Sequence, residues 1–169
     1  MKITYWESEY DLGGFMNVRK IGAVGATIAA AAAIAVSVPG QAFAANYALD
    51  GQDPVSAGCS SDATTIESAT VYANDITGAY ATVDLRYSVK CHAAWARIRT
   101  NDTEYSTYAW IDREQDAKAY SCHALTWSSS LGAYSCYTPV LYDLSPLQSR
   151  AEGNVQIGTT NFQGFTSYY

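Results

Sequence analysis

Histidine is almost missing from this chain of 169 residues, which has only His92 and His123. A serine hydrolase needs a positioned nucleophile with a base beside it, and no G-x-S-x-G elbow is present to supply the first. Basic residues are also scarce, 10 Lys plus Arg against 16 Asp plus Glu, for a net charge of −6. Nucleic acids and anionic lipid surfaces attract basic proteins, so this balance argues against both as partners. Beyond residue 45 there is no internal repeat, no low-complexity tract and no sustained 3.6-residue apolar stripe, which leaves a helical bundle without support.

What is present begins with an export pattern. In "MNVRKIGAVGATIAAAAAIAVSVPGQAFAANY", residues 16–47, Arg19 and Lys20 provide a basic start, and 21–38 is free of charge. Pro39-Gly40 breaks the helix, and Ala42-Phe43-Ala44 completes an A-x-A cleavage pattern. Residues 16–44 are therefore expected to be a secretory signal peptide, cut between Ala44 and Ala45. A retained anchor is disfavoured because the stretch is mostly Ala and Gly, which partition weakly into membranes, and no basic stop-transfer cluster follows. The preceding 1–15 are acidic, with Glu7, Glu9 and Asp11 against Lys2, which spoils the basic start. Met16 is thus the expected start, and 1–15 a doubtful leader.

The expected mature region, 45–169, has the size of one domain. It is dense in tyrosine and tryptophan, with twelve and three respectively. Both favour strands and combine apolar area with a polar tip. They suit a thin β-core padded with Tyr, or an aromatic platform exposed for sugar stacking. All four cysteines, Cys59, Cys91, Cys122 and Cys136, fall after the expected cleavage point. An even count in an exported chain implies two disulfides, with three pairings open. Sequential pairing closes two modest loops and is preferred.

The clearest strand is "YATVDLRYSVKCH", where Val83, Leu85, Tyr87, Val89 and Cys91 share one face and polar residues the other. "AAWARIRT" continues extended in shifted phase, which a bulge or tight bend near Ala93 explains. "EYSTYAWID", "AKAYSCHALTW" and "GAYSCYTPVLYD" read as further strands, and the tail "NVQIGTTNFQGFTSYY" as an edge strand. "SDATTIESATV" leaves room for a short helical turn. The expected fold is all-β, a small antiparallel sandwich or barrel held by disulfides.

Several clusters invite chemistry. Cys91-His92 and Cys122-His123 suggest a Cys₂His₂ zinc set, but adjacent strand residues face opposite ways and exported thiols oxidise. Asp112, Glu114 and Asp116 alternate but lack the EF-hand spacing, with Arg113 and Lys118 at hand to neutralise them, so a solvated hairpin loop is expected. "LDGQD" is a turn before it is a metal loop. No metal and no cofactor is expected. Trp95, Arg97 and Arg99 share a strand face, the best candidate for gripping an anionic or sugar ligand. A structural role, with Arg stems packed over the indole and paired with Asp84 or Asp102, is preferred.

Two blocks carry a family likeness. Gly51, Asp53, Pro54, Gly58, Cys59, Asp62 and Ala63 form the first, and Leu85, Arg86, Tyr87, Ser88, Cys91, Trp95, Ala96 and Arg97 the second. Together they resemble the YjfA-like family of small secreted proteins from actinobacteria and bacilli, whose function is unknown. The resemblance implies export and a Cys59–Cys91 bridge; it implies no chemistry. The expectation is a secreted extracellular binding module, with cell-wall glycan or an extracellular protein as partner. A small hydrolase, or an inhibitor or toxin-like protein, are the alternatives.

Overall fold

The computed structural model describes residues 47–73 and 80–169. The doubtful leader, the Met16 start, the signal peptide and the Ala44/Ala45 cleavage point lie outside the described residues. Within them the protein is built from strands. These are β1 (Thr64–Tyr72), β2 (Tyr80–Ser88), β3 (Ala93–Thr100), β4 (Ser106–Arg113) and β5 (Ala119–Cys122), followed by β6 (Thr126–Ser128), β7 (Ala133–Tyr137), β8 (Leu141–Tyr142), β9 (Ser149–Ile157) and β10 (Thr160–Phe165). All pair antiparallel, in two sheets. One runs β1-β2-β3-β7-β6, with β8 also on β3; the other runs β10-β9-β4-β5. Among the described residues no helix is long and apolar enough to cross a membrane.

The alternation in β2 does what the sequence indicates at its centre: Val83 and Leu85 are buried between the sheets. It does not run on to Cys91. The strand ends at Ser88, residues 89–92 turn, and Ser88 pairs directly with Ala93. Val89 is consequently 67% exposed rather than in the core. His92 takes a left-handed φ of 49° to close the turn. The phase slip read as a bend near Ala93 is therefore a hairpin reversal. Beyond its first residue, "SDATTIESATV" is likewise not helical: a 3-10 turn at Cys59–Ser61 ends on its Ser61, and β1 from Thr64 pairs along β2 from Tyr87 to Tyr80, with one irregularity at Ile66. Thr64, Thr65, Ile66, Thr70 and Val71 are β-branched, and a strand partner of matching length overrides any local helical tendency. The tail gives the edge strand β10, hairpinned onto β9.

The main core lies between the sheets. Val71, Val83, Leu85, Ala96 and Ile98 come from the first, and Ala109, Ile111, Ala151 and Val155 from the second. Much of it is alanine, so the sheets sit close. A Cβ on Gly153 of β9 would fall 2.9 Å from atoms of both Val71 and Val83, and one on Gly164 of β10 would fall 2.7 Å from the Thr70 carbonyl oxygen. β3 is buried on its other face as well. There Ala93, Trp95, Cys59 and Val140 form a second cluster, with Leu49, Ala57 and Ala63 from the N-terminal segment packed against it.

Two disulfides complete the frame, and they follow the sequential order: Cys59–Cys91 and Cys122–Cys136. The first ties the N-terminal segment to the β2–β3 turn. The second joins β5 of one sheet to β7 of the other. Closing loops of 32 and 14 residues contributes roughly 4 and 3 kcal/mol by chain entropy. That is large beside the ~5–15 kcal/mol total of a small domain.

Candidate functional site

The two sequence blocks that carry the family resemblance fold against each other as a clasp. Cys59 bonds Cys91. Asp62 accepts hydrogen bonds from the Ser88 hydroxyl at 2.6 Å and the Lys90 amide at 2.8 Å, which caps the β2–β3 turn. These bonds hold the Asp62 carboxyl below its ordinary pKa, the Ser88 hydroxyl contributing most. Arg86 donates to the Ala63 carbonyl at 2.7 Å. Asp53 accepts from the amides of Val55 and Ser56, shaping the turn that delivers Cys59. Every one of these contacts is structural.

Trp95, Arg97 and Arg99 do lie on one side of β3, but the structure divides them. Trp95 is 4% exposed, covered by the N-terminal segment. Arg97 and Arg99 both turn to Asp84 on β2, at 2.8 Å and 3.3 Å. Burial works against the Asp84 charge, and the Ser68 hydroxyl with the two guanidinium groups more than reverses it, leaving the carboxyl below its ordinary pKa.

The acidic run straddles the end of β4, with Asp112 in the strand and Glu114 and Asp116 in the β4–β5 hairpin loop, and Asp112 and Asp116 go to separate partners. Asp112 accepts from Arg150 at 3.1 Å and from the Tyr168 hydroxyl at 2.7 Å. Asp116 accepts from Arg113. Arg113, at 1% exposure, is the largest of the fully buried side chains among the described residues. It spends five donor bonds on Asp50, Asp116 and the Tyr142 carbonyl, at 2.7–3.1 Å. Burial alone would lower its pKa, but the two carboxylates raise it above the ordinary value. "LDGQD" thus supplies a buried counter-ion, Asp50, which nothing in the sequence pattern signals.

The zinc set does not form, because both cysteine pairs are spent as disulfides. Among the described residues no group of three His, Cys, Asp or Glu could hold a metal. His123 instead joins an aromatic surface. It stacks on Tyr108 with centroids 4.9 Å apart and meets Trp110 edge-on at 6.3 Å. Next to it a cleft of about 540 Å³ opens along the Cys122–Cys136 bridge, lined by His123, Thr126, Trp127, Ser135 and Tyr137 among others. Trp127 is 57% exposed, and Tyr137 is exposed too. Trp127 is held edge-on against Tyr134 at 5.2 Å, its cross-strand partner. No Asp, Glu, Lys or Arg lines this cleft. What it offers is aromatic faces, hydroxyls and an imidazole, with no nucleophile–base–carboxylate arrangement.

A second pocket, about 490 Å³, is lined by Tyr87, Asp143, Pro146, Gln148 and Tyr169 among others. Asp143 is 4% exposed. Burial pushes its carboxyl up to about 7, against the opposing pull of Ser149 and Arg113. It is the one side-chain carboxylate among the lining residues, and no histidine is among them. Neither pocket gathers a histidine with a carboxylate, the minimum that a hydrolase of the expected kind would use.

No solved structure matches this chain. It is similar to the "Uncharacterized protein YjfA" of Bacillus subtilis (strain 168), 35% identical over 135 residues that cover 76% of this chain and 84% of that protein. The family described as "Protein of unknown function (DUF2690)" matches residues 47–152, which contain the whole clasp and the cleft. The chain belongs to that family, the YjfA-like proteins of unknown function.

Proposed function

We propose that the protein is an exported binding module that holds an uncharged cell-wall glycan in the cleft beside the Cys122–Cys136 bridge. Export is supported by the basic, apolar and A-x-A segments of 16–44 and by two disulfides with no free cysteine. Binding rests above all on Trp127, a large indole left more than half exposed at the rim of a cleft that carries no formal charge. Pyranose rings present apolar C–H faces that stack on such aromatic surfaces, while their hydroxyls need neutral donors and acceptors. Ser128, Ser135 and Thr126 supply these. The disulfide makes the platform stiff, so little entropy is lost on binding.

Retention of the disulfide-bonded protein on insoluble peptidoglycan and on chitin tests this. Wild type is retained on at least one of the two, and Trp127→Ala loses most of that retention, since an aromatic anchor contributes about 2 kcal/mol or more. Passage of the wild-type protein through both resins unretained would overturn the proposal.

A further inference from the structure

Val83 and Leu85 turn one face of β2 to the core, so Asp84 and Arg86 turn to the other, alongside Arg97 and Arg99 of β3. Among the described residues Asp84 is the one carboxylate that pairs with any of these three arginines. Three guanidinium groups thus share a single counter-ion, in a protein whose net charge is −6. Arg86 donates to neutral partners, the Thr65 hydroxyl and the Ala63 carbonyl. Burial first, and then repulsion from Arg97, hold its pKa below the ordinary value, and the attraction of Asp84 is weaker than either. Positive charge is in excess on this face.

Asp84 is well satisfied without Arg99. Arg97 donates to it from Nε at 3.1 Å and Nη2 at 2.8 Å, and the Ser68 hydroxyl donates at 2.7 Å. The contacts from Arg99, Nε at 3.3 Å and Nη2 at 3.4 Å, are longer than an ordinary N–H···O bond. They also use only the Nε–Nη2 edge of its guanidinium. Nη1 makes no hydrogen bond among the described residues, and the side chain is 43% exposed. Arg99 lines a pocket of about 140 Å³ with Tyr80, Thr82, Asn101, Leu131 and Ala133 among others, and no acid is among the lining residues. Tyr80 is itself exposed and pairs directly with the exposed Tyr72 of β1. Tyrosine and arginine are the side chains that most often anchor a bound polypeptide.

We infer that this pocket holds the C-terminal carboxylate of a peptide ending in a small residue. The Nη1–Nη2 edge of Arg99 is its two-pronged partner, and Tyr80, Leu131 and Ala133 surround the terminal side chain. A carboxylate presents two oxygens that match a guanidinium edge, so two charge-assisted bonds form in parallel. The bound anion also offsets the surplus positive charge of the face. The volume admits a chain end rather than a whole ligand, since sites for drug-sized molecules begin at roughly 300 Å³. This inference does not rest on the glycan proposal, because the pocket shares no lining residue with the cleft beside the Cys122–Cys136 bridge.

Titration of the disulfide-bonded protein with N-acetylalanine, followed in ¹H–¹⁵N spectra, tests the inference. N-acetylalaninamide serves as the neutral counterpart and inorganic phosphate as a rival anion. N-acetylalanine is expected to shift the Arg99 Nε–H and the Ala133 backbone amide saturably, with a Kd on the order of millimolar, and the amide to leave both in place. Arg99→Gln changes an exposed side chain and leaves Asp84 its bonds from Arg97 and Ser68. It weakens the Ala133 response at least about tenfold. Arg99→Lys keeps the charge without the planar fork and weakens it several-fold. No probe contains a sugar, so failure here and failure of the glycan proposal are separable. The inference is overturned by resonances unmoved at millimolar N-acetylalanine, by an equal response to the amide, by phosphate binding more tightly than the carboxylate, or by an Arg99→Gln protein that responds as wild type does.

Discussion

Replacing Arg113 with methionine probes the most concentrated electrostatic contact among the described residues. The side chain is 1% exposed, and all five of its N–H donors are used. Tyr47 also lies over the guanidinium at 4.8 Å. Methionine fills a similar volume but leaves Asp50, which is 5% exposed, with the Tyr142 amide as its remaining donor at 2.7 Å. Stranding one member of a buried ion pair costs about 3–5 kcal/mol. The exposed partner, Asp116, adds little. For a domain of this size the loss lowers the thermal midpoint by on the order of 15 °C. Urea denaturation with both disulfides intact measures it. The double variant Asp50→Asn/Arg113→Met removes the stranded charge and should recover at least about 1 kcal/mol. A single variant that costs less than about 1 kcal/mol, or a double variant worse than the single, refutes the reasoning.

Three further outcomes are expected. Converting Cys122 and Cys136 to alanine removes the covalent link between the sheets and costs roughly 3 kcal/mol in the same assay; it also weakens glycan retention, because Trp127 and Tyr137 lose their shared support. Gly153→Ala forces a Cβ against Val71 and Val83, an overpacking that costs about 1–3 kcal/mol by thermal melting. For Asp143 the sign runs opposite to that of a salt-bridged acid. With its folded pKa raised from 3.8 to about 7, native stability is greatest below the unfolded value and declines as pH climbs from about 4 to about 7. Asp143→Asn therefore raises the melting temperature at pH 8 and leaves it nearly unchanged at pH 4.

How far the sequence reveals this molecule depends on how local each feature is. The centre of β2 is legible because alternation of Val83 and Leu85 with Asp84 and Arg86 follows directly from the pleat. Its end is not, because Val89 and Cys91 continue the alternation through what is in fact the turn. β1 is hidden by a Thr- and Ser-rich composition whose strand character comes from pairing with β2. Of the clasp formed by the family-bearing residues, the resemblance implies only the Cys59–Cys91 bridge; the Asp62–Ser88 and Arg86–Ala63 contacts are not legible, since their partners lie far apart along the chain. Asp50 and Asp143 give no signal at all. An acid flanked by apolar residues is buried or exposed according to what packs over it, which is a tertiary fact. The cleft is similarly invisible: abundant aromatics suggest a platform, but only the β6–β7 pairing and the cross-sheet disulfide bring Trp127, His123 and Tyr137 around one opening.

The central claim is that the exposed indole at the cleft recognises glycan, and the protein carries its own internal reference for testing it. In ¹H–¹⁵N spectra the indole N–H of Trp127 reports on the cleft, while that of Trp95, buried beneath the N-terminal segment, reports on the core. Titration with soluble N-acetylglucosamine oligomers is expected to shift the Trp127 resonance in a saturable way and leave Trp95 in place. A Trp127 signal unmoved at millimolar oligosaccharide, with the fold intact, contradicts the account.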